Sequence, residues 1–123
     1  MVYSGASDAG TPAAELDAVF AALAHQSRRE LVVYLAGRAT PPRMTQVAAD
    51  NGLSPQLLNK HTAALEKAGL VRRERHGRER YLVLDPAALA AAQNWIHETR
   101  MFWSGQFDAL DAYIATLKGD ADD

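Results

Sequence analysis

The chain has 123 residues, 48% hydrophobic and 23% charged, with 13 lysines and arginines against 15 aspartates and glutamates and a net charge of −2. This length suits one domain with a modest core, and the composition excludes wholesale disorder. No cysteine is present, which excludes disulfides and thiolate metal sites; with no long apolar run and no basic-then-apolar start, a cytoplasmic protein that does not enter membranes is expected.

Met1 to Gly10 are small and polar and read as a flexible tail. Thr11-Pro12 opens a first helix, on which Leu16, Val19, Phe20 and Leu23 form an i, i+3, i+4, i+7 stripe reaching about His25. Ser27-Arg28-Arg29-Glu30 has the form of a capping box and predicts a second helix starting there. Leu31, Val32, Tyr34 and Leu35 supply its core side and Gly37 its stop. Thr40-Pro41-Pro42-Arg43 must then be extended, because neither proline continues a helix.

Thr45 to Asn51 is a short amphipathic helix ended by Gly52, and a tight Gly52-Leu53-Ser54 turn leads into a longer one. This is a helix-turn-helix over about residues 45–68. Ser54 is suited to cap free N–H groups, Pro55 to the first helical position, and Gly69 to a left-handed close. At 100° per residue Leu58, Thr62, Leu65 and Ala68 share one side with His61, whereas Gln56, Asn59, Lys60, Ala63 and Lys67 share the other. Amides pair with adenine, lysine with guanine or phosphate, and alanine permits close approach to a base edge, so this outer face suits a major groove. An ordinary solvated face is the alternative.

Beyond Gly69 the period changes to two, predicting a β-hairpin over about residues 71–84 with His76-Gly77-Arg78 as its bend. Arg75, His76, Arg78 and Arg80 crowd its tip, a place from which arginine clamps phosphates or enters a minor groove. Ser54 to Leu84 holds seven basic against three acidic residues, net +4, which leaves −6 on the remainder. One positive patch on an acidic body fits a surface presented to phosphates.

Asp85-Pro86 opens the longest helical stretch, to about Lys118, roughly 45–50 Å at 1.5 Å per residue. Leu89, Ile96, Trp103, Leu110 and Leu117 recur every seven residues, with Trp95, Phe102, Phe107 and Ile114 beside them, as in a coiled-coil seam. A domain this small does not cover so long a stripe, so part of it is expected to meet a second subunit. Gly105, about 1 kcal/mol worse than alanine in a helix, leaves a kink or split after Ser104 open. The single domain thus spans about residues 11–119, and residues 120–123 read as a flexible acidic tail.

Three segments taken in order resemble the ArsR family of bacterial transcriptional regulators: Ala22 to Leu31, Leu53 to Val71, and the wing from Arg75 to Pro86. The resemblance covers about Phe20 to Leu117. It implies a mainly α fold with a β-hairpin wing, a winged helix-turn-helix whose N- and C-terminal helices form a dimer interface. It further implies a homodimer that binds an inverted-repeat operator in double-stranded DNA and represses transcription until an effector weakens binding. The expected DNA contacts are Gln56, Asn59, Lys60, His61 and Ala63 on the recognition helix and Arg75, His76, Arg78 and Arg80 on the wing. Gln56 and Asn59 are the expected base readers; Lys60 and the arginines set register on the backbone or the minor groove. His61, near the buried edge, is a candidate either for phosphate or for a local structural bond. The expected dimer contacts are Leu16, Phe20, Leu89, Ile96, Phe102, Trp103, Leu110, Ile114 and Leu117.

The departure from the family lies in the inducer. Many members sense metals through a Cys-x-Cys pair before the recognition helix or through Asp and His on the last helix. Here cysteine is absent and His25, His61, His76 and His97 fall on different elements, so no metal site and no cofactor are expected. His97 with Asp108 or Asp111 across subunits is the one ligand set left open. Trp95, Phe102 and Trp103 read either as the wall of a small apolar pocket or as dimer contacts, and the effector stays an unidentified small molecule. No nucleophile elbow, phosphate-cradling loop or His-Glu-x-x-His run occurs, so no enzyme activity is expected. The competing reading is a winged-helix protein–protein module whose arginines only solubilise it.

Overall fold

The computed structural model describes residues 12–122; the tail expected over residues 1–10 and the terminal Asp123 lie outside them. Within these bounds the order is α1 (Pro12–Leu23), α2 (Gln26–Ala36), α3 (Met44–Asn51), α4 (Pro55–Lys67), β1 (Val71–His76), β2 (Glu79–Leu84) and α5 (Ala87–Asp122). The chain divides into two compact units, one ending at Ala92 and one beginning at Gln93.

Helices α3 and α4 end by the same local device. Leu53 N–H donates to Ala48 O at 2.9 Å and Gly52 N–H to Ala49 O at 3.3 Å; Leu70 N–H donates to Leu65 O and Gly69 N–H to Glu66 O, both at 2.9 Å. These paired bonds satisfy the last carbonyls of each helix and require a left-handed residue just past its end, met by Gly52 at φ 64° and Gly69 at φ 75°. At the other end of α4, Ser54 Oγ accepts from Leu57 N–H at 3.1 Å and Pro55 opens the first turn. The turn between α3 and α4 is tight because each side of it is capped.

The start of α2 differs from expectation. The helix begins at Gln26, with His25 extended before it and no side-chain cap, and the His25 carbonyl accepts from both Arg28 and Arg29 N–H at 3.1 Å. Ser27 therefore lies inside the first turn, where it cannot form the predicted capping box. Glu30 instead accepts from Gln26 Nε2 at 2.9 Å. Arg29 reaches back to the Leu23 carbonyl at 2.7 Å, placing a cation on the free C-terminal end of α1.

The core of the first unit takes one or more residues from every element: Val19 and Ala22 of α1, Leu31, Val32 and Leu35 of α2, Val47 of α3, Leu58 and Leu65 of α4, Leu70, Val71, Leu82 and Ala92. Leu31, Val47, Leu65, Leu70 and Leu82 have no exposed surface, and each buried leucine contributes about 1.5–3 kcal/mol of transfer free energy. Leu16 and Leu89, expected in a dimer contact, pack half-buried against this core. Strands β1 and β2 pair antiparallel from Val71↔Leu84 to His76↔Glu79. Leu82 N–H donates to Pro42 O at 3.0 Å and Arg43 bridges to Tyr81, so the proline loop covers the outer edge of β2. Asp85 Oδ1 accepts from Ala87 N–H at 3.0 Å and caps α5, as its position before Pro86 predicts.

From Gln93 the second unit is helix alone, continuous through Gly105 to Asp122 and past the stop expected at Lys118. The penalty of one glycine, about 1 kcal/mol, does not break it. No helix among the described residues is long and apolar enough to cross a membrane.

Candidate nucleic-acid interface

Helix α4 is sharply two-sided. Leu58, His61, Thr62 and Leu65 are buried beneath it, while Gln56, Asn59, Lys60, Ala63 and Lys67 are exposed above. The buried leucines hold the helix down, and the cap at Ser54 sets where it begins, so the positions of the polar side chains follow from the packing of the apolar ones. Leu57, 40% exposed on the flank of this face, was not marked by the sequence pattern. An apolar side chain there is suited to a thymine methyl group.

His61 is not brought to the outer face. It is 8% exposed, and its Nδ1 accepts from Arg28 Nε of α2 at 3.3 Å. Burial, followed by the charges of Arg28, His25 and Lys60, lowers its pKa from the ordinary 6.5. The ring is therefore neutral at pH 7, with its proton on Nε2, and joins the recognition helix to α2. Thr62 is wholly buried beside it, and its Oγ1 has no hydrogen-bond partner among the described residues.

The wing closes by the two-residue turn Gly77-Arg78. Gly77 takes φ 65°, the left-handed first position that a tight hairpin favours in glycine. Arg75, His76, Arg78 and Arg80 are all exposed. His76 lies 3.7 Å from Glu74, which also pairs with Arg72 at 3.2 Å, and Glu79 is taken by Arg43 at 3.8 Å. That leaves Arg75, Arg78 and Arg80 without an ion pair among the described residues, and Arg75 and Arg80 stand directly opposite each other across the strands. Like charges directly opposite each other across a strand pair are unfavourable.

Arg73, one residue pair further down the same strand face, behaves differently. Its Nε lies 3.1 Å from Glu66 Oε1, and its terminal nitrogens reach Asn59 of the recognition helix. Sequence reading did not single it out, although the period-two pattern puts it on the face of Val71, towards α4.

The remaining expected residues fall in two places. Phe20 of α1 is exposed at its edge. In the second unit Ile96, Phe102, Trp103, Leu110, Ile114 and Leu117 are exposed along one helix, Phe102 at 64% and Trp103 at 57%. The Trp103 and Phe107 rings lie with centroids 5.9 Å apart, tilted by 32°. Among the described residues no three His, Asp or Glu side chains converge in a metal-binding geometry.

No family model matches the chain, and no curated protein does. Solved structures do. An ArsR-like transcriptional regulator from Rhodococcus sp. RHA1 is 29% identical, with a TM-score of 0.68, over 79% of this chain and 90% of that one. A possible transcriptional regulator for arsenical resistance is 31% identical, with a TM-score of 0.58, over 76% of this chain and 92% of that one. A homodimeric winged helix-turn-helix DNA-binding domain from Mycobacterium bovis, at 20% identity and a TM-score of 0.60 over 80% of this chain and 90% of that one, shares the fold. With the helix-turn-helix, the wing and this degree of identity in agreement, the chain belongs to the ArsR family of winged helix-turn-helix transcriptional regulators.

Proposed function

We propose that the protein is a sequence-specific DNA-binding regulator, acting in the cytoplasm as a homodimeric repressor on an inverted-repeat operator, and not an enzyme. The observation that carries this reading is the group of wing-tip arginines with no ion pair among the described residues, two of them face to face, beside an exposed helix face of amides, lysines and alanine. Phosphates neutralise the first and base edges match the second. Two recognition helices related by a dimer twofold enter successive major grooves about one helical turn apart, so the half-sites are inverted repeats. Dimerisation is supported by the apolar stripe of α5 from Ile96 to Leu117, too apolar to stand in water alone, and by the homodimeric state of the Mycobacterium bovis neighbour. An effector of unidentified chemistry releases the DNA.

The test is selection from a pool of randomised duplexes, followed by fluorescence anisotropy of the enriched sequence and a scrambled control across a salt series. Enrichment of an inverted repeat, bound in a salt-sensitive manner and in preference to the scrambled duplex, is the expected result. Failure to enrich any sequence refutes the reading and leaves the protein–protein module, for which the same surface binds a partner chain.

A further inference from the structure

We infer that Arg73 sets the base preference of the recognition helix by locking the side-chain amide of Asn59, so that Asn59 reads thymine or guanine rather than adenine. This rests on the DNA-binding reading above and adds a specificity determinant that lies outside the exposed face.

Three contacts fix the guanidinium. Arg73 Nη1 donates to Asn59 Oδ1 at 3.3 Å and Nη2 to the Asn59 backbone carbonyl at 3.4 Å, while Nε lies 3.1 Å from Glu66 Oε1 as an ion pair without hydrogen-bond alignment. Asn59 and Glu66 are seven residues apart on α4, two turns along one edge, so the helix holds the arginine at both ends of its planar fork. Glu66 compensates the charge, and the two bonds to Asn59 orient the group. Arg73 is thus a positioning residue, with its side chain only 27% exposed, and not another free cation of the wing.

Guanidinium has donors only. The atom of Asn59 that meets it is therefore the oxygen, and a flipped amide would set its own N–H groups against those of Arg73. A two-point amide–adenine pair needs both ends of the amide: the oxygen to accept from N6 and the NH2 to donate to N7. With its oxygen held towards the wing, Asn59 offers DNA its NH2 group, which no acceptor meets among the described residues. A donor alone is best matched by edges that present acceptors with no donor beside them, O4 of thymine or O6 and N7 of guanine; adenine N7 also accepts, but its neighbouring N6–H2 is then left without the acceptor that the held oxygen would have supplied. Gln56, exposed at the start of the same helix and without a side-chain hydrogen bond among the described residues, keeps both ends of its amide free and serves as the internal control.

The experiment is duplex selection with the wild-type protein and with the Asn59→Ala, Gln56→Ala, Arg73→Ala and Arg73→Lys variants. The operator position at which Asn59→Ala loses its preference is expected to carry thymine or guanine in the wild type, and the enriched base says which. Arg73→Ala frees the amide and shifts that position towards adenine by about fivefold or more, the smaller end of one good base contact. The position assigned by Gln56→Ala stays unchanged. Arg73→Lys, which retains a donor for Oδ1, restores the wild-type preference. A general loss of structure would weaken every position alike and could not produce a shift confined to one. Adenine at the Asn59-dependent position overturns the inference from the wild type and Asn59→Ala alone, whether or not Arg73→Ala folds. An unchanged base in folded Arg73→Ala also overturns it. If the wild type enriches no sequence, the DNA-binding reading itself fails, a different and recognisable outcome.

Discussion

Arg80→Ala separates binding from folding by giving the two quantities opposite directions. Arg80 is exposed, has no ion pair among the described residues, and stands opposite Arg75 in the β1–β2 register. On a dimer one phosphate contact is lost per protomer. Each contact contributes about 0.9 to the slope of log affinity against log salt, so the variant's slope is shallower by about 1.8. Between about 50 and 200 mM salt, the wild type then loses about 12-fold more affinity than the variant. Removing one member of the facing pair also relieves their repulsion, so the melting temperature holds or rises slightly. Fluorescence anisotropy over a salt series and a thermal melt read both effects on the same sample. An unchanged salt slope refutes the placing of Arg80 on phosphate; a fall in melting temperature shows that it holds the fold instead.

Leu65→Ala removes a wholly buried side chain from the inner face of α4 and is expected to cost about 2–5 kcal/mol in urea unfolding. A loss under 1 kcal/mol in that titration contradicts the packing described for the recognition helix. Trp103→Glu places a charge in the centre of the apolar stripe, and light scattering should show dissociation to monomer; an intact dimer removes this helix from the interface. The His61 ring has its pKa lowered by burial, so below about pH 6.5 the unfolded chain takes up a proton that the folded one resists. Its contribution to stability is complete above that pH and falls as the pH drops towards the folded value. Thermal melts between pH 8 and 5 should show this decline in the wild type and a weaker one in His61→Gln; parallel curves would assign the acid sensitivity to other groups.

The helix-turn-helix and the wing were legible in the sequence because their signals are local. Ser54, Pro55, Gly52, Gly69 and Gly77 each act within a few residues through a cap or a left-handed turn, and α4 repeats its apolar positions with a period that no distant contact needs to correct. The exposed set Gln56, Asn59, Lys60 and Ala63 follows from that period once Leu58 and Leu65 are placed inside. Where neighbouring residues competed, local reading was insufficient. Ser27 had the spacing of a capping box, but the cap fell two residues earlier, at His25, and Arg29 tied α2 to the Leu23 carbonyl at the end of α1. Only tertiary packing decided what His61 and Arg73 do. His61 meets Arg28 across 33 residues, and Arg73 meets Asn59 across 14 through the approach of β1 to α4. Such pairings depend on how two elements cross, a distance in space that residue spacing along the chain does not encode. The exposed polar side chains of α4 and the wing are therefore apparent from the sequence, whereas which of their hydrogen bonds are already made inside the protein is set by the fold.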